Sequence, residues 1–147
     1  MLSKAAIILF VAGAGIPLMA ALNSGLGLRL GSPIPAAFVL FLLATTITAA
    51  LMLTNPMPAR SVISAVPMHY FLGGIFVAFY VLAMTWIAPK MGIGNAILMV
   101  LIGQLIASAV IDHYGLLNVS RSPASLTRLA GIALVILGVY LAKKASG

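Results

Sequence analysis

The sequence contains no cysteine and no glutamate, and its single acidic residue is Asp112. The absence of cysteine excludes disulfides, thiolate chemistry and cysteine-ligated metal sites. One carboxylate and two separate histidines, His69 and His113, offer neither an acid–base pair nor a metal cluster, so we expect no enzyme, no metal and no cofactor. Only 6% of the residues are charged, whereas a soluble domain carries about 25%, so the composition argues against a soluble domain.

Hydrophobic residues make up 63% of the chain and fall into five apolar runs separated by short polar or glycine- and proline-rich connections. A transmembrane helix needs about 20 apolar residues, and a membrane-exposed sheet edge would leave backbone groups unsatisfied. We therefore expect an all-α integral membrane protein, with residues 1–147 forming a single transmembrane domain. The beginning of the chain, with Lys4 before an apolar run, resembles a signal peptide, but the run continues to Leu22 and we expect an uncleaved span. The expected spans are about Ala5–Leu22, Ile34–Leu53, His69–Ile87, Ile93–Ile111 and Leu126–Ala142.

Eight cations give the chain a net charge of +7, and they stand mostly at the ends of the apolar runs. They form no basic stripe, so we expect contact with membrane lipid and not with nucleic acid. The cytoplasmic side normally carries the excess of Lys and Arg, yet here the cations divide evenly, although one strong early cation can outweigh such a count. The even division predicts dual topology, an inverted second copy as partner, and a ten-helix antiparallel homodimer. One side has Lys4, Arg60, Arg121 and Arg128, and the other has Arg29, Lys90, Lys143 and Lys144.

Small residues spaced for close helix packing recur in the later spans. Gly131 and Gly138 share one face of the last span, which as a terminal helix is free to face outward, so we expect this face to form the dimer contact. Packing within one chain is the alternative. In the first span, Pro17 removes a helix donor near mid-depth, which predicts either a break that builds a substrate site or a plain kink.

Polar side chains at membrane depth usually face a bundle interior or a water-filled cavity. Gln104 and Ser108 stand four residues apart on one helix face, and Asn23 and Tyr80 lie in or beside other spans. We expect these four residues to line a substrate path. Hydrogen bonding between helices is the alternative for Gln104 and Ser108, helix termination for Asn23, and core packing for Tyr80.

Asp112 and His113 stand at the boundary of the fourth span, on the side that also carries Arg121 and Arg128. A carboxylate beside a histidine predicts a gate or a coupling pair for a proton or a cation. The alternative is a structural ion pair that ties the fourth-to-fifth connection to the fifth helix.

Gly103–Ser108 and Ile111–Gly115 are the most specific of several motifs that together cover nearly the whole chain. These motifs resemble the YdcZ-like family of the drug/metabolite transporter superfamily. In that family a glutamine tends to precede Ala-Ala-x-Asn, whereas Pro17–Asn23 of this chain keeps the asparagine and lacks the glutamine. The other motifs are Gly73–Val81, Pro89–Gly92 and Leu126–Gly131.

The resemblance implies a five-span half-transporter of the bacterial cytoplasmic (inner) membrane, two copies of which would match the ten-helix members. The architecture is also similar to that of the small multidrug resistance proteins, which work as antiparallel dimers with a glutamate in the middle of the first span. This chain has no such acid, so proton-driven export of cationic drugs by that mechanism is not supported.

We expect a transporter that moves a small solute of unknown identity by alternating access as an antiparallel homodimer. One alternative is half of a heterodimeric transporter with an oppositely oriented partner. The other is a structural or accessory membrane protein that transports nothing.

Overall fold

The computed structural model describes residues 2–55 and 57–145, and within these residues it contains helices and turns and no β-strand. A short helix, α3, and two 3₁₀ segments, Met68–Leu72 and Leu116–Asn118, lie in the connections between the longer helices. The helices are α1 (Leu2–Arg29), α2 (Pro33–Met52), α3 (Arg60–Ser64), α4 (Gly73–Met91), α5 (Ile93–Tyr114) and α6 (Leu126–Ala145).

Five helical segments in the described part of the chain are long and apolar enough to cross a membrane. They are α1, α2, α5, α6, and α4 together with the 3₁₀ segment before it. The prediction of an all-helical fold is therefore confirmed, with five candidate transmembrane helices, while the dimer and its ten-helix arrangement stay predictions. Large apolar side chains such as Leu9 and Phe10 are 72% and 78% exposed, which suits contact with lipid tails.

The first helix is longer than the sequence led us to expect. It continues through Pro17 without a break and passes Leu22 to end at Arg29, so residues 24–29 are helical and not a connection. It ends in a Schellman motif, in which Ser32 N–H donates to Gly27 O (3.0 Å) and Gly31 N–H to Leu28 O (3.3 Å). Gly31 has a φ of 70°, a value that glycine adopts without strain.

The connection between α1 and α2 is short because Ser32 serves both helices. Its backbone closes the end of α1, and its side-chain oxygen accepts a hydrogen bond from Ile34 N–H (3.3 Å) as the N-cap of α2. Proline at the first helical position needs no backbone donor, so Pro33 fits this start. The two helices are thereby held as close neighbours.

The described residues form two compact units, one up to Ile93 and the other from Gly94 onward. The prediction of a single transmembrane domain over residues 1–147 stays a prediction. In the first unit α1, α2 and α4 all contact one another. Small side chains at the contacts allow close approach of the backbones. The buried residues there include Ala20, Ala36, Ala37, Val81, Met84 and Ala88.

The second unit contains α5, α6 and the connection between them. After α5 ends at Tyr114, Gly115 turns the chain with a φ of 64°, and Leu117 and Asn118 also have positive φ. The α6 helix begins after Ser125, whose hydroxyl accepts a hydrogen bond from Arg128 N–H (3.1 Å) as an N-cap.

Candidate functional site

A buried hydrogen bond joins α1 to α4 in the first unit. The Asn23 amide Nδ2–H donates to Thr85 Oγ1 over 2.5 Å, and both side chains are buried. The Thr85 hydroxyl in turn donates to Val81 O (2.7 Å), one turn earlier in α4. Asn23 is therefore a point of helix contact and also lines a cavity described below. Its place on a substrate path stays a prediction.

Gly27 makes the close approach of α1 and α4 possible. A Cβ atom at this position would lie 2.8 Å from Thr85 Cγ2 and 3.7 Å from Ala36 Cβ, so a larger residue would force the helices apart. Gly27 follows Asn23 by four residues and thus lies on the same face of α1. Glycine is required here for close packing and not for an unusual backbone conformation, because Gly27 has ordinary helical conformation.

An open cavity of about 570 Å³ lies between α1 and α2. Asn23 is the only polar residue among the described residues that line it, and no residue of α4 contributes. Ligand pockets commonly measure about 300–1,000 Å³ and combine apolar walls with a few polar groups, so this cavity has the size and composition of one. Its walls are Gly15, Leu18, Met19, Leu22, Leu26, Val39, Leu40, Leu43, Ala44 and Ile47, in addition to Asn23.

Two further hydroxyls in the first unit are buried without a hydrogen-bond partner among the described residues, Ser24 Oγ and Tyr80 Oη. A buried polar group without a partner costs about 1–3 kcal/mol. Such groups in membrane spans commonly meet water or a ligand. The place of Tyr80 along a substrate path stays a prediction.

A smaller cleft, of about 190 Å³, opens where α1 and α4 end and α2 begins. Its wall includes Trp86 and Lys90, whose ammonium nitrogen lies 3.9 Å from the centre of the Trp86 ring. Trp86 is 58% exposed, which suits an interfacial position.

In the second unit, the predicted path residues Gln104 and Ser108 are both exposed on α5. Ser108 Oγ–H donates to Leu105 O (3.0 Å), a bond within its own helix. The Gln104 amide makes no hydrogen bond to any described residue, although it stands in the middle of a helix apolar enough to cross a membrane. An amide at such a depth needs a polar neighbour.

The predicted pair Asp112 and His113 makes two separate contacts, in which Asp112 binds a residue of α6 and His113 binds the connection that precedes α6. Arg128 Nη2–H donates to Asp112 Oδ2 over 2.7 Å, with the two side chains 31% and 29% exposed, respectively. Ala124 N–H donates to His113 Nδ1 (3.1 Å), and Arg121 Nε–H donates to His113 O (3.1 Å). The ion pair that was the structural alternative is thus present, and the coupling role of Asp112 and His113 stays a prediction.

The predicted dimer residues Gly131 and Gly138 lie on an open face of α6. A Cβ atom at either position would meet no described atom within 4 Å. This face is therefore available for a partner, and its use in a dimer stays a prediction.

Sequence reasoning missed Thr85, the partner of Asn23. The signal was present, because Thr85 is the only serine or threonine in α4 and Gly27 follows Asn23 at helical spacing. The expected end of the first span at Leu22 leaves residues 24–29 outside the helix, and so hides the α1 face that Thr85 contacts.

The comparison with known families agrees with this arrangement of apolar helices. A family model described as "Putative inner membrane exporter, YdcZ" matches residues 5–141. The chain belongs to the YdcZ family. No curated protein and no solved structure matches the chain.

As a YdcZ-family member with five helices able to span a bilayer, the chain is a multi-pass protein of the inner membrane. The YdcZ description as an exporter supports a transport function and suggests no catalysis. The resemblance noted from the sequence motifs is thereby confirmed.

Proposed function

We propose that the chain is one protomer of an antiparallel homodimer that exports a small solute by alternating access. The observation that carries the proposal is Gln104, an amide at mid-helix with no partner among the described residues, in a chain of a family described as exporters. Such a group is costly in lipid and is accommodated by a water-filled path or by a polar neighbour. Ser108, Asn23 and Tyr80 would complete the lining, with Asp112 and His113 as gate.

The proposed inverted dimer rests on charge and on an open helix face. If each of the five helices crosses once, four cations lie on each side, so no side has the excess that fixes orientation. The open face at Gly131 and Gly138 offers close contact to a second copy. An oppositely oriented partner encoded separately is the competing arrangement.

Topology is tested first, by fusing Gly147 to a reporter active only in the cytoplasm and, separately, to one active only outside it. We expect both fusions to give signal. Adding a cation to the connection before α6, as in Ser120→Lys, should then shift the population toward one reporter. Signal from one reporter alone in the unmodified chain would contradict dual topology and would favour the heterodimer.

Transport is tested by comparing the solutes in the medium of cells that produce the wild-type chain or Gln104→Ala at equal membrane levels. We expect a solute enriched by the wild type to fall toward background with Gln104→Ala, while the dimer persists in mild detergent. Thr46→Val is the matched control, because the Thr46 hydroxyl bonds only to Leu42 O of its own helix. An unchanged medium with the wild type would favour the accessory-protein alternative, and full activity of Gln104→Ala would remove this residue from the path.

A further inference from the structure

The orientation of the Asn23 amide follows from the direction in which the Thr85 hydroxyl donates its hydrogen. A hydroxyl has one hydrogen, and that of Thr85 is donated to Val81 O (2.7 Å). Toward Asn23 the Thr85 oxygen can therefore only accept, so the asparagine must present its NH₂ group. The amide oxygen of Asn23 is left on the other side of the amide.

That oxygen, Asn23 Oδ1, has no hydrogen-bond partner among the described residues. It is not fully buried, because the fully buried side-chain atoms without a partner in the described part of the chain are Ser24 Oγ and Tyr80 Oη alone. Asn23 is nevertheless only 6% exposed, and it lines the cavity between α1 and α2. The cavity thus combines apolar walls with one polar residue, Asn23, whose amide oxygen is still able to accept a hydrogen bond.

We infer that this cavity binds the transported solute, and that the solute is a small, mostly apolar molecule carrying one hydrogen-bond donor, such as a hydroxyl or an N–H group. This inference rests on the proposed transport function. The volume of about 570 Å³ gives room for such a molecule, and the donor would pair with Asn23 Oδ1. A cation finds no carboxylate among the lining residues, and an anion finds no basic side chain.

Asn23 then has two separate roles. Its NH₂ group holds α1 against α4 through Thr85, and its carbonyl oxygen faces a ligand without any change in that contact. A polar site built in this way is preorganised, because the helix contact already fixes the side chain.

The test uses two fluorescent compounds that differ only in the donor, 1-pyrenemethanol and 1-(methoxymethyl)pyrene. Trp86, the only tryptophan of the chain, serves as donor for energy transfer to the pyrene ring, with the whole protein in lipid nanodiscs. We expect saturable transfer for 1-pyrenemethanol and about three- to tenfold weaker binding of the methyl ether, the range of one neutral hydrogen bond.

Cavity-filling variants locate the binding. Gly15→Leu and Ala44→Phe, on opposite walls, should each remove the saturable transfer, whereas the matched variants Gly13→Leu and Ala50→Phe, on the same helices but outside the cavity, should retain it. Two filling variants guard against a folding defect in either one.

Equal binding of the two compounds, or binding that survives both filling variants, would overturn the inference. Absence of saturable transfer would do the same, and would indicate a groove filled by a lipid acyl chain. The proposed transport function is contradicted by a different result. Saturable binding in a chain that enriches no solute in the medium would support the binding site and contradict the transport role. Export of a solute without this binding would support the transport function and contradict the proposed binding site.

Discussion

Asn23 and Thr85, 62 residues apart in the sequence, form the buried side-chain hydrogen bond that connects α1 with α4. Inside a membrane the hydrophobic effect contributes little to helix association, so helices are held together by close packing and by hydrogen bonds such as this one. The same contact places Asn23 at the cavity between α1 and α2.

Removing the acceptor at Thr85 should destabilise the first unit. In Thr85→Val the asparagine NH₂ group would remain buried without a partner, and we expect a loss of about 1–3 kcal/mol. Thr85→Ser keeps the hydroxyl and should lose less. Both are measured by unfolding the purified protein with increasing SDS in mild detergent, and equal stability of the valine variant and the wild type would show that the bond contributes nothing.

Adding a methyl group at Gly27 should force α1 and α4 apart. Gly27→Ala puts a Cβ atom 2.8 Å from Thr85 Cγ2, and overpacking of this kind costs about 1–3 kcal/mol. Gly25→Ala, where a Cβ atom meets no described atom within 4 Å, is the matched control and should be neutral or slightly stabilising.

A second substitution should restore the stability that Gly27→Ala removes. Thr85→Ser removes the methyl group that the new Cβ would meet, so the double variant Gly27→Ala/Thr85→Ser should recover most of the stability lost by Gly27→Ala. Strictly additive effects in the same SDS titration would show that the two side chains do not interact.

The hydroxyl of Tyr80 should affect transport and leave folding intact. It is buried without a partner among the described residues, so Tyr80→Phe should match or exceed the wild type in stability. If Tyr80 contacts the solute, enrichment of that solute in the medium should fall severalfold. A phenylalanine variant with unchanged export would assign Tyr80 to packing alone.

Asp112 and Arg128 can be tested as a pair, because a structural ion pair and a coupling carboxylate respond differently to exchange. The partly exposed pair should contribute about 0.2–1 kcal/mol, so Asp112→Asn and Arg128→Gln should each have a small and similar effect on stability. If Asp112 couples transport, Asp112→Asn should abolish export while Arg128→Gln retains part of it.

The exchanged pair, Asp112→Arg with Arg128→Asp, completes this comparison. A purely structural pair should regain both stability and export after exchange. A coupling carboxylate should regain stability alone, because its charge would then stand on α6 and not at the end of α5. Export restored by the exchange would contradict the gate that we propose.

The helical content and the five membrane-spanning segments were determined by the sequence itself. A run of about 20 apolar residues has one stable form in lipid, since an unpaired backbone group there costs several kcal/mol. Composition alone therefore fixed the all-α class, and the motifs at Gly103–Ser108 and Ile111–Gly115 already pointed to the family that the comparison shows.

Only the tertiary structure decided where α1 ends and what Asn23 contacts. Glycines at 25 and 27 argue locally for a connection, but burial of Gly27 against α4 and the Schellman closure at Gly31 extend the helix to Arg29. The partner of Asn23 is 62 residues away. The sequence singles out Thr85 only as the one serine or threonine of α4, and the packing of α1 against α4 decides that the two side chains meet. Likewise, the choice of Arg128 over Arg121 as partner of Asp112 depends on how the chain folds back after Gly115, which spacing in the sequence does not reveal.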